Sequence, residues 1–296
     1  MRIVTYNIQY SRGRDGVFNL ARIADTVRDA DVVGLQEVER FWQRSGMTDQ
    51  PAELMSLLPT HHAVFGCYFD MDASSVSEDG TVHNRRRQFG NMLLRRWPIQ
   101  WVRQHPLPKP HYDDEFNMHQ GALEAVIAPP GRAPVRIIVL HLAYISMEKG
   151  DAERLAQLDH VLGILDRRTG EGAAWSGPNG IGEDDWSEGQ ASPDNPESAV
   201  LLGDFNMVPG SAPYVKMITS QAGGLALVDS WKALGNRARD GFTYPLDEER
   251  YGRPGIKLDY IFVTENLARD ISSAWIDNEA DGSDHQPYWI EIGNEN

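Results

Sequence analysis

The sequence is poor in cysteine and in long apolar runs, and each shortage excludes a class of protein. Its 296 residues contain one cysteine, Cys67, which excludes an internal disulfide framework and a zinc site built from cysteines. No apolar run reaches the roughly 18 residues that a membrane helix needs. No apolar signal segment precedes the first predicted strand, residues 2–8. We therefore expect a cytoplasmic protein without a transmembrane segment.

Positive charge is also scarce. The chain has 28 Lys and Arg against 43 Asp and Glu, and its formal net charge is −15. Proteins that bind DNA or RNA usually carry a basic face, so this balance disfavours tight, non-specific binding to a long polyanion. It does not exclude a nuclease with a short basic patch. The one dense basic cluster, residues 85–87 and 95–96, is either a solvated face or an anion-binding site.

Strand-like and helix-like segments alternate along the chain. The predicted strands are residues 2–8, 31–38, 62–70, 89–96, 121–130, 135–144, 199–206, 256–264, 271–277 and 286–292. The predicted helices are residues 19–30, 149–168, 212–221 and 228–234. Hairpins mixed with strand–helix–strand units predict an α/β fold, with two packed sheets and helices outside them.

Residues 169–198 break this alternation, being rich in Gly, Pro, Ser and acid and lacking Lys and Arg. We predict a loop insertion there, within a single domain that spans residues 1–296.

Polar residues stand at the ends of several apolar strands. In "GDFN", Asp204 and Asn206 are two residues apart, so in an extended chain their side chains share one direction. Each residue alone has a structural explanation: a capped turn, a hydrogen-bonded core histidine or a solvated strand end. Together they predict a common cleft, because strand ends are where α/β folds place their chemistry. The set is Asn7, Glu37, His141, Asp204, Asn206, Asp259, Asp284 and His285.

This set is rich in oxygen ligands, with two histidines and no cysteine. Such a set suits Mg²⁺ or Mn²⁺ better than Zn²⁺. The sequence contains neither a G-x-S-x-G nucleophile motif nor a P-loop. We therefore expect an activated water to be the nucleophile.

Seven motifs, taken in order, resemble the endonuclease/exonuclease/phosphatase superfamily. They are "TYNIQY", "GLQEVE", "FGNMLL", "VLHLAY", "LLGDFNMVP", "KLDYIFV" and "GSDHQPY". That superfamily includes deoxyribonuclease-I-like nucleases, neutral sphingomyelinases and inositol polyphosphate 5-phosphatases. The resemblance implies a four-layer α/β/β/α sandwich, in which two mixed sheets pack together between outer helices.

The resemblance also implies roles for the polar set. Glu37 is then the principal ligand of a Mg²⁺ or Mn²⁺ ion, with Asn7 and Asp284 beside it. The number of ions, one or two, stays open. A metal on a phosphate oxygen would offset the negative charge that opposes attack by water.

The remaining polar residues are implied to act on the water and the phosphate. Asp204 and Asn206 position them, Asp259 hydrogen-bonds to His285, and His141 matches the second histidine of the superfamily. Whether Asp204 or His285 accepts the proton of the water stays open.

The segment "RRRQFGNMLLRRWPI" resembles members that act on small molecules or lipid head groups. Asn91 would then reach the phosphate, and an Arg of residues 85–87, which we take as Arg87, would bind an anionic group. The alternative is an ordinary central strand with a basic lead-in.

These observations predict a metal-dependent phosphoester hydrolase, a phosphodiesterase or phosphatase, acting on a small-molecule or lipid-head-group phosphate. The alternative is a DNA or RNA nuclease, and the complete polar set disfavours a non-catalytic binding module. If the acidic residues 169–198 fold near the cleft, they would repel a long polyanion. Nothing in the sequence indicates the oligomeric state.

Overall fold

A computed structural model describes residues 1–144, 147–177, 186–237, 240–246, 249 and 254–293 of the chain. Two large mixed sheets dominate it. The first has six strands and the second has seven. The strands of the first sheet are β1 (Arg2–Asn7), β2 (Val32–Arg40), β3 (His62–Asp72), β6 (Arg86–Arg95), β16 (Ile271–Ile276) and β17 (Tyr288–Ile292). Their order across the sheet is β16-β17-β1-β2-β6-β3.

The second sheet contains four of the ten predicted strands, and the first sheet contains the other six. Its strands are β7 (Ile99–Pro106), β8 (Gly121–Ile127), β9 (Val135–His141), β10 (Ala199–Asp204), β11 (Gln221–Ala222), β12 (Leu225–Asp229) and β15 (Asp259–Thr264). Their order across the sheet is β11-β12-β15-β10-β9-β8-β7. The remaining strands form two short hairpins: β4 (Ser75–Val76) pairs with β5 (Val82–His83), and β13 (Tyr244–Pro245) pairs with β14 (Gly255–Ile256).

The helices flank the two sheets. They are α1 (Leu20–Val27), α2 (Gln50–Leu57), α3 (Met147–Glu171), α4 (Ala212–Thr219), α5 (Ser230–Ala233) and α6 (Glu265–Ala268). In α1 the buried residues Leu20, Ile23, Ala24 and Val27 recur at helical spacing, so one face of the helix is apolar. Asn19 begins this helix, because its side-chain oxygen accepts hydrogen bonds from the backbone N–H groups of Ala21 and Arg22.

Three buried clusters define the layers. One lies between the sheets and includes Ile3 and Leu93 of the first sheet with Val139 and Leu202 of the second. A second packs the first sheet against α1 and α2, and a third packs the second sheet against α3 and α4. The predicted four-layer α/β/β/α sandwich is therefore confirmed.

The predicted elements differ from the structure in a few places. Helix α2 and strand β7 were not predicted. A helix was predicted over residues 228–234. The structure instead has strand β12, which ends at Asp229, followed by the single helical turn α5. A short apolar run does not by itself distinguish strand from helix, which explains this error.

The predicted insertion, residues 169–198, begins inside α3, which continues to Glu171. Residues 172–177 and 186–198 form no helix or strand, and residues 178–185 lie outside the described part of the chain. The described flanks lie against β7: Trp101 Nε1 donates to the carbonyl of Asp194, and Arg103 donates to that of Ala173. The single-domain assignment stays a prediction. Across the described ranges, no helix is long and apolar enough to cross a membrane.

Candidate active site

The predicted polar residues meet where strands of both sheets end. Strands β1 and β2 run parallel, as do β9 and β10, so their carboxyl ends lie at one edge of the sandwich. A cleft of about 500 Å³ opens there. Its lining consists of Gln9, Tyr10, Glu37, Arg44, Phe89, Met118, Gln120, His141, Tyr144, Asp204, Asn206, Tyr244, Ile256, Leu258, Asp284 and His285.

A β-bulge directs Glu37 into this cleft. The pairing of β2 with β6 shifts register between Leu35 and Val38, and both of those side chains are buried in the core. Glu37 has a φ of 60°, a left-handed conformation that is uncommon outside glycine. The bulge thus keeps the apolar alternation of β2 while adding one residue that points elsewhere.

Asn7, at the end of β1, joins the two sheets. Its amide nitrogen donates to Glu37 Oε1 and to Asp204 Oδ2, both at 3.0 Å. Its amide oxygen accepts the backbone N–H of Gln9 at 3.0 Å. Asn7 therefore fixes the spacing between a carboxylate of the first sheet and one of the second.

Asp204 both shapes a turn and reaches the cleft. Its Oδ1 accepts the backbone N–H of Asn206 at 2.9 Å, and Asn206 has a φ of 48°. This is the capped turn that the sequence also allowed. The Oδ2 atom of Asp204, which accepts the Asn7 amide, faces the cleft. The Asn206 amide nitrogen donates to the carbonyl of Leu142 at 3.1 Å.

His285 is held by two carboxylates. Its Nδ1 lies 2.8 Å from Asp259 Oδ2, and its Nε2 lies 3.7 Å from Asp204 Oδ2. Burial lowers the pKa of His285, but the negative charges of Asp259 and Asp204 outweigh it and raise the pKa to about 10. The bond to Asp259 fixes which ring nitrogen faces the cleft.

His141 has a different environment although it also neighbours Asp204. Its Nε2 lies 3.7 Å from Asp204 Oδ2, and neither ring nitrogen has a hydrogen-bond partner among the described residues. Burial lowers the pKa of His141, which favours the neutral imidazole in the free site. Both ring nitrogens are shielded from solvent although the residue lines the cleft.

Asp284 closes the cleft from the loop before β17. Its Oδ2 accepts the side-chain amide of Gln9 at 2.7 Å. The preceding residue, Ser283, donates its hydroxyl to the backbone carbonyl of Asn7 at 2.7 Å. The loop that carries Asp284 and His285 is thereby tied to the end of β1.

The donor set fits a divalent cation. Glu37, Asp204 and Asp284 line one cleft, and none of them forms an ion pair with a Lys or Arg within the described ranges. Burial, with the charges of Asp284 and Asp204, raises the pKa of Glu37 to about 7. Carboxylates that are costly to ionise, and that have no cation beside them, suit Mg²⁺ or Mn²⁺.

A second group of side chains also has ligand geometry. The ligand atoms of Asp204, Asp259 and His285 all lie within 4.8 Å of one another. In this group, however, the shortest contact is the hydrogen bond between His285 and Asp259. A protonated imidazole occupied in this way is a poor metal ligand, so Glu37 and Asp284 are the better candidates.

Two predicted residues lie outside the cleft. The Asn91 amide nitrogen donates to the carbonyls of Gly121 and Val139, at 2.9 and 3.4 Å, and so joins the two sheets. Arg87 stacks near Trp42, with its guanidinium carbon 5.6 Å from the ring. Neither residue lines the cleft, so the geometry gives no support to their predicted contacts with a phosphate or anionic group.

The predicted basic cluster is also divided. Residues 85–87 and 95–96 stand at opposite ends of β6, whose ten residues span about 30 Å. Arg95 is fully buried and donates to the carbonyl of Pro98, whereas Arg86 pairs with Asp70. The two groups of arginines are near each other in the sequence, but they do not form one basic patch on the surface.

Several residues that line the cleft were not among the predicted site residues. Gln9 follows Asn7 by two residues, the same spacing that singled out Asp204 and Asn206, so a signal for it was present. Arg44 lies in a loop turn, Gln43–Ser45, outside the motifs, and no sequence pattern pointed to it. Four apolar or aromatic lining residues lie within the quoted motifs, where only polar residues were singled out: Tyr10, Phe89, Tyr144 and Leu258.

Comparison with known proteins places this geometry in context. The sequence matches the Endonuclease/Exonuclease/phosphatase family model over residues 4–285. No curated protein matches the chain. A structure of an endonuclease/exonuclease/phosphatase from Beutenbergia cavernae DSM 12333 is similar, with 25% identity and a TM-score of 0.69. The alignment covers 99% of this chain and 72% of that one.

Two more distant structures share the fold. The catalytic domain of human Nocturnin with a bound sulfate is 18% identical, covers 98% and 93% of the two chains, and has a TM-score of 0.57. The 3′ phosphatase NExo from Neisseria, bound to a product DNA hairpin, is 16% identical, covers 99% of both chains, and has a TM-score of 0.53.

Proposed function

The chain belongs to the endonuclease/exonuclease/phosphatase family of hydrolases, and from that premise we propose that it hydrolyses a small-molecule or lipid-head-group phosphoester with the help of Mg²⁺ or Mn²⁺. The composition of the cleft carries this proposal. Among the described residues, Arg44 is the one Lys or Arg side chain that lines it. Much of the remaining wall is apolar or aromatic. The apolar and aromatic lining consists of Tyr10, Phe89, Met118, Tyr144, Tyr244, Ile256 and Leu258.

Such a wall suits a compact substrate. A long polyanion places a phosphate every few ångströms and is held by many cations, each of which releases counterions. The cleft instead offers one guanidinium and the ligands for a divalent cation, too few positive charges to hold such a chain. The cleft volume of about 500 Å³ lies within the range typical of small-molecule sites.

The acidic segment at residues 169–198 does not contribute to this argument. Its described flanks lie against β7, and none of their residues lines the cleft. The expectation that its carboxylates repel a polyanion at the cleft therefore finds no support in the described residues. The net charge of −15 and the single lining guanidinium remain as the observations that disfavour nucleic acid.

In the proposed reaction, Glu37 and Asp284 hold the cation, with Asn7 fixing Glu37 by its hydrogen bond. The bound cation supplies charge that offsets the anionic phosphoester. Asp204 faces the same space and accepts a hydrogen bond from Asn7, so it is placed to orient the attacking water.

The histidines act on the other side of the cleft. His285 is oriented by Asp259 and carries a proton that it can donate or share. His141, with both ring nitrogens unpaired, is available to hydrogen-bond a phosphate oxygen.

The second candidate function is a nuclease. It is favoured by the fold shared with a 3′-5′ exonuclease from Neisseria meningitidis. The low number of cations at the cleft disfavours it. Both candidates use the same ion and the same hydrolytic chemistry, so substrate preference alone separates them.

A substrate panel across a salt series tests the proposal. It offers bis-p-nitrophenyl phosphate, choline and glycerol phosphodiesters, inositol phosphates and plasmid DNA, each with Mg²⁺ or Mn²⁺. We expect kcat/KM to be highest for a small phosphoester, with a shallow dependence on salt.

Efficient plasmid cleavage would contradict the proposal, above all if kcat/KM fell by about 0.9 log units per log unit of salt for each phosphate contacted. Negligible turnover of every small ester would then establish the nuclease.

A further inference from the structure

Arg44 occupies the cleft wall without any part in the proposed hydrolysis. It stands in the turn Gln43–Ser45 that follows β2, and its side chain is 38% exposed. It is the one Lys or Arg among the described residues that line the cleft. A cation that faces an active cleft and has no role in the reaction is a candidate for substrate selection.

Several contacts fix the guanidinium in place. Its Nε and Nη2 both donate to Glu39 Oε2, at 3.0 and 2.7 Å, and Glu39 is fully buried. The guanidinium carbon lies 3.8 Å from the centre of the Tyr10 ring and 4.3 Å from that of Trp42. Trp42 is itself fixed by a hydrogen bond from Nε1 to the carbonyl of Gln88 at 2.8 Å.

These contacts determine what Arg44 can still bind. Aromatic rings cover the flat sides of the guanidinium, so a nucleobase has little room to stack there. Glu39 takes the Nε and Nη2 protons nearest to it. The outer N–H groups remain, and a guanidinium edge pairs best with a carboxylate or phosphate.

Arg44 and Glu37 line the same cleft of about 500 Å³. Glu39, which fixes the Arg44 guanidinium, follows Glu37 by two residues of β2. A phosphoester at Glu37 would therefore present a second group near Arg44 if a short linker joined the two.

We infer that Arg44 is a specificity residue of this cleft and binds a second anionic group, a carboxylate or phosphate, on the substrate. This inference rests on the proposed hydrolysis of small phosphoesters and narrows its substrate class. The preferred substrate carries the scissile phosphate and, on a short linker, a further anion.

Two matched esters test this directly: butyl p-nitrophenyl phosphate and 3-carboxypropyl p-nitrophenyl phosphate. They share the leaving group and differ in one terminal carboxylate. We expect the wild-type protein to prefer the carboxylate ester through a lower KM. Arg44→Gln should remove about 10- to 100-fold of that preference, the range for a hydrogen bond between charged groups, and leave turnover of the butyl ester nearly unchanged.

The matched control is Arg40→Gln. Arg40 also lies near the end of β2, but it pairs with Asp49 at 2.8 Å and does not line the cleft. Its substitution should change neither KM. Equal wild-type rates on the two esters would overturn the inference, as would an Arg44→Gln variant that loses both activities equally.

Removing Arg44 alone leaves Glu39 as a buried, unpaired carboxylate, which endangers folding. The double variant Glu39→Gln/Arg44→Gln removes both charges and must show the same loss of carboxylate preference. Arg44→Lys retains the charge but not the planar edge, so we expect it to restore part of the preference.

A binding measurement separates failure of the inference from failure of the proposed function. Calorimetric titration compares butylphosphonate with 4-phosphonobutyrate, in the wild type and in Arg44→Gln. If neither ester is hydrolysed but the carboxylate strengthens binding in the wild type alone, the inference stands and the proposed function fails. Equal affinities for the two phosphonates in the wild type would contradict the inference whatever the rates.

Discussion

The two walls of the cleft balance negative charge in opposite ways. On the wall formed by the first sheet, Glu37 is partly buried beside other carboxylates, and an amide from Asn7 is its hydrogen-bond partner. On the facing wall, the carboxylates of Asp204 and Asp259 of the second sheet have the imidazole of His285 between them, and His285 itself is carried by the loop before β17 of the first sheet. Among the described residues, the Glu37 carboxylate forms no ion pair, whereas Asp204 and Asp259 have His285 beside them.

This difference indicates a division of labour. A carboxylate whose pKa is raised to about 7 gains most from a bound divalent ion, which restores its charged form. A histidine whose pKa is raised to about 10 holds a proton throughout the neutral range. We therefore propose that the first wall binds the metal and the second wall handles the proton, with Asn7 as the bridge.

Removal of the metal should have the largest effect. We expect exhaustive chelation to reduce phosphoester hydrolysis to the rate in buffer, because both walls act on a substrate whose charge the ion offsets. Added Mg²⁺ or Mn²⁺ should restore the rate, and circular dichroism should show an unchanged fold throughout. Full activity after chelation would mean that the first wall does not hold an essential ion.

Removal of His285 should have the next largest effect. His285→Ala should lower kcat by about 10²–10⁴-fold, the contribution typical of a general acid or base, with little change in the fold. His111→Ala is the control, because His111 is exposed and is not among the lining residues. A His285→Ala protein with nearly normal turnover would refute the proton-handling role.

Loss of the Asp259 charge should have a smaller effect. Asp259→Asn retains a hydrogen-bonding side chain but removes the charge that helps raise the pKa of His285. We expect a loss of about 10–100-fold in kcat, the range typical of groups that orient a histidine in a site. The alkaline limb of the pH–rate profile should also move to lower pH, and an unmoved limb would remove Asp259 from the account of His285.

The smallest expected effect is on stability and concerns Glu37. With a folded pKa of about 7 against 4.5 for the ordinary carboxyl, the folded state binds more protons between these values, so stability falls as pH rises through this window. In chelator, Glu37→Gln should melt a few degrees above the wild type at pH 8 and at the same temperature at pH 4. Equal melting temperatures at pH 8 would show that Glu37 is not destabilised.

The polar residues of both walls were predictable from the sequence because each stands at the end of an apolar strand or within a motif. His141 and Asp204 are paired in register between neighbouring strands, so predicting β9 and β10 sufficed to bring them together. The same reasoning does not place Asn91 in the cleft, because Asn91 lies inside β6 and its side chain faces the other sheet. The motif gave the position of Asn91 in the chain but not the direction of its side chain.

Arg44 illustrates what the sequence could not provide. Its position depends on a loop turn, on a buried partner five residues earlier, and on two rings from separate segments. None of these contacts follows from periodicity or from a motif. The basic residues at the two ends of β6 made a more conspicuous pattern, but strand geometry separates them by about 30 Å.

The division between the walls is tested most directly by the affinity for Mn²⁺, measured by titration calorimetry on the wild type, Glu37→Gln and His285→Gln, with turnover measured on the same preparations. We predict that Glu37→Gln loses about 10-fold or more in Mn²⁺ affinity together with its activity, whereas His285→Gln binds Mn²⁺ like the wild type and loses turnover alone. Loss of Mn²⁺ affinity in His285→Gln, with retention in Glu37→Gln, would contradict this division and place the ion at Asp204, Asp259 and His285.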